Sequence, residues 1–123
     1  MHIDIRTHGF PLTAALRDHA SRRLRFALER TSEGIRSVTL TLGDINGPRG
    51  GFDKTCTVRI ARHNHPVLVI EHTAEDTYVA IDRAADRAGR VLARELERES
   101  RRSRRPARQA AVSVDDLPLA AGT

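Results

Sequence analysis

TCTVRIARHNHPVLVIEHTAEDTYVAIDRAADRAGRVLARELERES, residues 55–100, changes its apolar rhythm part-way along, and that change decides the fold. Up to Ala61 the residues alternate, with Cys56, Val58 and Ile60 on one side and Thr55, Thr57 and Arg59 on the other, the pattern of a half-buried strand. His63-Asn64-His65-Pro66 is a tight turn. It leads into Val67–Glu71, whose run of apolar residues predicts a strand that is central or covered on both faces. Thr73, with acidic Asp76 three residues on, fits a capping box at the positive end of a helix. From Ala74 to about Ser100 the rhythm is helical. Ile81, Ala85, Ala88, Leu92 and Leu96 make one stripe, and Arg83, Arg87, Arg90, Arg94 and Arg101 make another nearly opposite. At about 100° per residue the arginines fall within roughly 60° of one another.

Working outward toward the N-terminus, His2–Thr7 alternates Ile3 and Ile5 against His2, Asp4 and Arg6, a short strand that Phe10-Pro11 breaks. Thr13 is suited to cap the next helix, and Leu12, Leu16, Ala20, Leu24, Ala27 and Leu28 keep its apolar face to about Arg30. Gly34 marks the turn out. Ile35–Leu42 alternates again, with Val38, Leu40 and Leu42 on one face. Asp44–Asp53 (DINGPRGGFD) combines Asn-Gly, Pro and Gly-Gly and predicts a mobile loop. The order β-α-β-β-β-α, with one face of each strand and one stripe of each helix apolar, predicts an α+β two-layer sandwich: a four-stranded sheet carrying two helices on one face. Residues 1–100 form that domain. From Ser100 the chain has no sustained apolar period, and 101–123 reads as an Arg-rich disordered tail.

The chain has 123 residues and a net charge of +5, unevenly placed. Residues 1–99 hold 16 basic and 14 acidic groups, whereas 100–123 hold 5 and 2. Affinity for a polyanion must therefore come from where the cations stand more than from their number. All but one of the 21 basic residues are Arg, a bias that suits bidentate phosphate contacts. Cys56 is alone, which excludes an internal disulfide. No segment has the length and apolarity of a signal peptide or a membrane span, so a cytoplasmic protein is expected. Aromatic residues are few (Phe10, Phe26, Phe52 and Tyr78), unlike a sheet that reads RNA by stacking bases across its strands.

The arginine stripe has two readings. Asp86 precedes Arg90 by four and Glu97 precedes Arg101 by four, which fits a solvated, partly neutralised helix face. The same stripe extends over roughly 27 Å at 1.5 Å per residue, a row of guanidinium groups matched to a nucleic-acid backbone. Contacts to about five phosphates would make log affinity fall with log salt at a slope near −3.5 to −4.5. Such contacts fix position and carry little sequence information. Tyr78, near the edge of the apolar stripe, reads either as a core tyrosine with a polar partner or as an RNA contact. Gly89 costs the helix roughly 1 kcal/mol relative to Ala, and the sequence offers no reason for it beyond close approach of an RNA backbone. His63 and His65 flank Asn64 and His72 follows, but this spacing lacks the convergent ligands of a zinc site, so no metal is expected. No GxSxG, P-loop or HExxH motif is present, so no catalysis and no cofactor are expected.

Glu75-Asp76-Thr77-Tyr78-Val79-Ala80-Ile81-Asp82, followed by Arg83, Arg87, Arg90 and Arg94, resembles the signature of the ribosome hibernation-promoting factor and ribosome-associated inhibitor family, once called sigma-54 modulation proteins. The opening of the first helix, Leu12-Thr13-x-Ala15-Leu16-Arg17-Asp18, agrees, and the likeness covers roughly residues 1–100. The resemblance implies a fold like that of double-stranded-RNA-binding domains. It also implies a translation inhibitor of stress and stationary phase that binds the small ribosomal subunit and its rRNA, occluding the mRNA and tRNA sites. Arg83, Arg87, Arg90 and Arg94 match the family's basic helix positions. Arg22 and Arg23 on the first helix, Tyr78, Arg101 and Arg102 complete the RNA-binding set expected here. No membrane and no small-molecule substrate enter this picture. Two departures stand out. The glycine-rich loop at 44–53 replaces a more charged connection, and the 24 residues from Ser100 are too few for the C-terminal dimerisation domain of long members. The alternative function is a regulator that docks on an acidic protein through the same arginines.

Overall fold

The computed structural model describes residues 1–44 and 54–104, with side chains as far as Arg102. Strand β1 (His2–His8) leads through α1 (Ala14–Leu28) and a 3-10 turn (Glu29–Thr31) to β2 (Ile35–Asp44). Strands β3 (Lys54–Arg62) and β4 (Leu68–Ala74) follow, and then helix α2 (Thr77–Arg104). The strands lie in the order β1-β2-β3-β4 in one sheet. The β1–β2 pair is parallel, which requires a crossover, and α1 supplies it. The other two pairs are antiparallel. This is the expected α+β architecture. The glycine-rich loop falls, but for Asp44, outside the described residues, as does the tail from residue 105.

Register sorts the side chains cleanly. Ile5, Leu40, Val58 and Ile70 lie in one cross-strand row, with Val38 and Ile60 beside them in the next. All of these are buried, as are Leu16, Ala20, Leu24 and Leu28 of α1 and Ala80, Ile81, Ala84, Ala85, Ala88 and Leu92 of α2. Arg36 is an extra residue in β2, where the register slips between Ile35 and Ser37. That bulge lets Ile35 join the core although it stands three positions from Val38. The opposite face of the sheet carries Thr39, Thr41, Thr55, Thr57 and Thr73, all half-buried. Cys56 is buried on the core side, and burial pushes its thiol up to about 12. It stays protonated and unreactive at neutral pH.

Both helices are capped, one as expected. Thr13 Oγ1 accepts a hydrogen bond from the Leu16 amide at 3.1 Å. For α2 the cap is Asp76 and not Thr73: the Tyr78 amide donates to Asp76 Oδ1 at 2.7 Å, and Thr73 and Ala74 are still paired within β4. Two other expectations fail. Strand β4 is an edge strand, with Val67 and Val69 exposed and Leu68 and Ile70 turned inward. Its apolar run reflects β-branched strand propensity more than coverage on both faces. Helix α2 begins at Thr77 and runs to Arg104, beyond the end expected near Ser100. Its last turns lack Gly and Pro, and Arg101 pairs with Glu97 at 3.4 Å across one turn.

Two compact units divide the chain, Met1–Leu92 and a second beginning at Ala93. No helix among the described residues is long and apolar enough to cross a membrane.

Candidate RNA-binding surface

Within the first unit, the phase of α2 decides which side chains meet water. The small residues Ala84, Ala85 and Ala88 are fully buried, so Arg83, Arg87 and Arg90 are carried to the outside, and all three are exposed. The arginines border a groove of about 370 Å³ whose walls are His72, Arg83, Asp86, Arg87 and Arg90. His72 comes from β4, opposite Cys56, and is half-buried. The groove therefore runs where the outer flank of α2 overhangs the sheet's edge. Three guanidinium groups and an imidazole face one carboxylate there. Arg90 is held by Asp86, one turn earlier, in a close charge-assisted hydrogen bond. Among the described residues Arg83 and Arg87 make no ion pair. The groove can take an anion of phosphate size, with Arg83 and Arg87 available at once and Arg90 available on release from Asp86.

The arginines of α1 stand differently. Arg22 Nε is 3.3 Å from Asp18 Oδ2 on its own helix. Arg23 Nε lies 3.2 Å from Asp82 Oδ1 of α2, inside ion-pair range but not aligned for a hydrogen bond. His19 Nε2 is 2.7 Å from the same carboxylate oxygen. An ionised carboxylate only accepts, so the imidazole nitrogen donates. Asp82 thus ties α2 to two residues of α1. Tyr78 adds to this junction, its ring meeting His19 edge-on at 4.9 Å between centroids. It is 40% exposed, so it is not a core residue, and the ring remains within reach of a ligand.

Gly89 has its explanation at the same seam. A Cβ on Gly89 would lie 2.8 Å from the Ala27 carbonyl oxygen and 3.4 Å from Ala27 Cβ. Contact between α1 and α2 therefore requires glycine, with no RNA involved.

In the second unit, Arg94, Arg98, Arg101 and Arg102 are exposed on the last turns of α2. Arg98 pairs with Glu95 at 2.9 Å and Arg101 with Glu97 at 3.4 Å. Sequence reasoning placed the outward arginines of α2 from periodicity alone. It missed His72, weighed there only as a metal ligand. Alternation from Ile70 was the signal that turns His72 inward beneath α2. It also gave Asp86 no role beyond partial neutralisation.

Comparison with known proteins bears on this arrangement. A search of curated proteins by sequence finds no match. Among solved structures, a ribosomal subunit interface protein from Coxiella burnetii superposes with a TM-score of 0.66 at 15% identity, covering 79% of this chain and 99% of that one. The Protein Y N-terminal domain from Thermus thermophilus gives 0.63 at 22% identity, covering 76% and 98%. At these identities the likeness establishes the fold. Residues 3–100 match the profile of the sigma 54 modulation protein / S30EA ribosomal protein family, and a match over that much of the sequence means that the chain belongs to it.

Proposed function

We propose that the protein binds the small ribosomal subunit through rRNA phosphates and inhibits translation by occupying the space of mRNA and tRNA. The observation that carries this reading is the groove beside α2, where Arg83, Arg87 and Arg90 stand outward around His72 while the opposite side of the helix is sealed in the core. Family membership and the folds named for ribosomal subunit interface protein and Protein Y support the same partner. No chemical step is required, because a folded body held in a channel excludes other ligands by volume.

The arginines of the groove supply the main phosphate contacts in this reading. Arg94, Arg101 and Arg102, in the second unit, add contacts of their own. Arg22 and Arg23 add less, since each is already paired with an aspartate. Tyr78 lies beside α1 as a further RNA contact. The shape of the rRNA surface supplies specificity that phosphate contacts lack.

Sedimentation on a sucrose gradient tests the proposal. The full chain should co-migrate with small subunits in low salt and dissociate as salt rises. Arg87→Glu with Arg90→Glu should reduce association by about a hundredfold or more, with stability within about 0.5 kcal/mol of the parent, as for other surface changes. A parent protein that stays at the top of the gradient in dilute buffer, alone or with an acidic protein, sinks the reading.

A further inference from the structure

Phe26 is an anomaly in α1. The helix's apolar stripe is Leu16, Ala20, Leu24 and Leu28, all buried, and Phe26 lies off that stripe with 72% of its surface exposed. Leaving a phenyl ring in water is unfavourable, and the fold gains no core contact for it. A cation sits at the ring. Arg23 Cζ sits 5.9 Å from the ring centroid, and Asp82 holds Arg23 from the other side. Arg22 precedes Phe26 by four, one turn earlier on the same side of α1, and Arg30 is exposed just past the helix end, in the 3-10 turn. The exposed residues nearest to it in sequence are charged: Arg22, Arg25, Glu29 and Arg30. A protein-docking hot spot usually lies in a well-packed pocket whose surrounding contacts exclude water. A lone aromatic ring among arginines has instead the composition of a nucleobase platform, where the π face stacks and the cations meet the flanking phosphates.

We propose that Phe26 stacks on an unpaired base of the RNA this protein binds, with Arg23 kept at the ring by Asp82 and Arg22 and Arg30 meeting the phosphates on either side. The proposal rests on the RNA-binding reading above and adds a neutral, aromatic contact on α1 to the ionic ones on α2.

The chain contains no tryptophan, which makes Phe26→Trp a reporter. The variant, prepared in the full chain with 5-hydroxytryptophan and excited to the red of ribosomal tryptophan, is titrated with purified small ribosomal subunits. Stacking predicts quenched emission and an affinity within about threefold of the parent, because either ring offers a π face. Phe26→Ala should bind roughly tenfold to a hundredfold more weakly, the range of base stacking. Its dependence on salt should be unchanged, since a neutral contact releases no counterion. Its thermal unfolding should match the parent, as the ring lies outside the core. Phe26→Ala binding as tightly as the parent overturns the proposal. So does brighter, blue-shifted emission without quenching, which would place the ring against protein. If Phe26→Ala binds normally while the Arg87→Glu, Arg90→Glu protein does not, only the stacking contact falls. If the parent itself ignores small subunits, both readings fall.

Discussion

Arg23 on α1 and Arg87 on α2 are both helix-surface arginines, yet one is spoken for and the other is not. Arg23 is half-buried against Asp82, and its neighbour Arg22 leans on Asp18. Arg87 projects over an open groove with Arg83, and among the described residues neither has an acidic partner. The difference originates in helix phase. Positions 23 and 82 fall at the seam between the helices, where a lone charge would be costly and a pair is tolerated. Positions 83 and 87 fall on the far side, where water covers them. A count of arginines treats the two helices alike. Their surroundings leave the paired arginines of α1 little to offer a phosphate and make α2 the main source of free cations.

Several substitutions would break or sharpen this contrast. The largest expected effect is at the seam itself. Gly89→Ala gains about 1 kcal/mol of helix propensity but drives a methyl into the Ala27 carbonyl. The net should be a loss of about 1–3 kcal/mol, as for other overpacked contacts, read from the urea midpoint at constant m-value. A variant as stable as the parent would mean that the helices are free to separate.

Next comes the direct comparison of guanidiniums. Arg87→Ala should weaken binding to small subunits about tenfold and reduce the salt slope by about one. Arg22→Ala should cost less than about threefold by filter binding, because its cation is already neutralised by Asp18. Equal losses would erase the distinction between the helices. Asp82→Ala should lower stability by about 1 kcal/mol, a typical loss for a part-exposed hydrogen-bonded charge. The His19–Tyr78 ring contact should loosen with it, visible as shifted aromatic proton resonances. An unshifted spectrum would show that Asp82 does not hold the junction. The smallest effect is expected at Asp86. Asp86→Asn releases Arg90 without changing shape, and binding to small subunits should tighten by about threefold, the scale of an exposed i,i+4 pair. Weaker binding after that change would mean that Asp86 itself touches the partner.

Much of this was legible in the sequence, and the limits were physical. Alternation placed Cys56, Val58 and Ile60 in the core because a strand's period of two leaves no freedom of face. Helical period likewise placed Arg83, Arg87 and Arg90 outward opposite the buried Ala85 and Ala88. The edge position of β4 was hidden, because Val67-Leu68-Val69-Ile70 reports strand propensity and not how many neighbours a strand has. The cap of α2 was misplaced because Thr73 and Asp76 are both good capping residues, and pairing of β4 through Ala74 left only Asp76 in place. Gly89 was opaque because its reason lies in Ala27, far away in sequence. Whether Arg23 was available could not be read, since its partner Asp82 comes from the other helix, whereas the pairing of Arg22 with Asp18 follows from their i,i+4 spacing. His72 was weighed only as a metal ligand, because the overhang of α2 is what makes an edge-strand histidine part of a groove.

The threonines on the side of the sheet away from the core have a consequence for how the protein keeps to itself. A branched Cβ favours extended backbone, while the hydroxyl remains content in solvent. Among the described residues, the exposed large apolar side chains next to these threonines are Val67 and Val69, at the edge strand, with polar neighbours around them. A surface so largely polar over the described residues gives a second sheet little that is greasy to stack against.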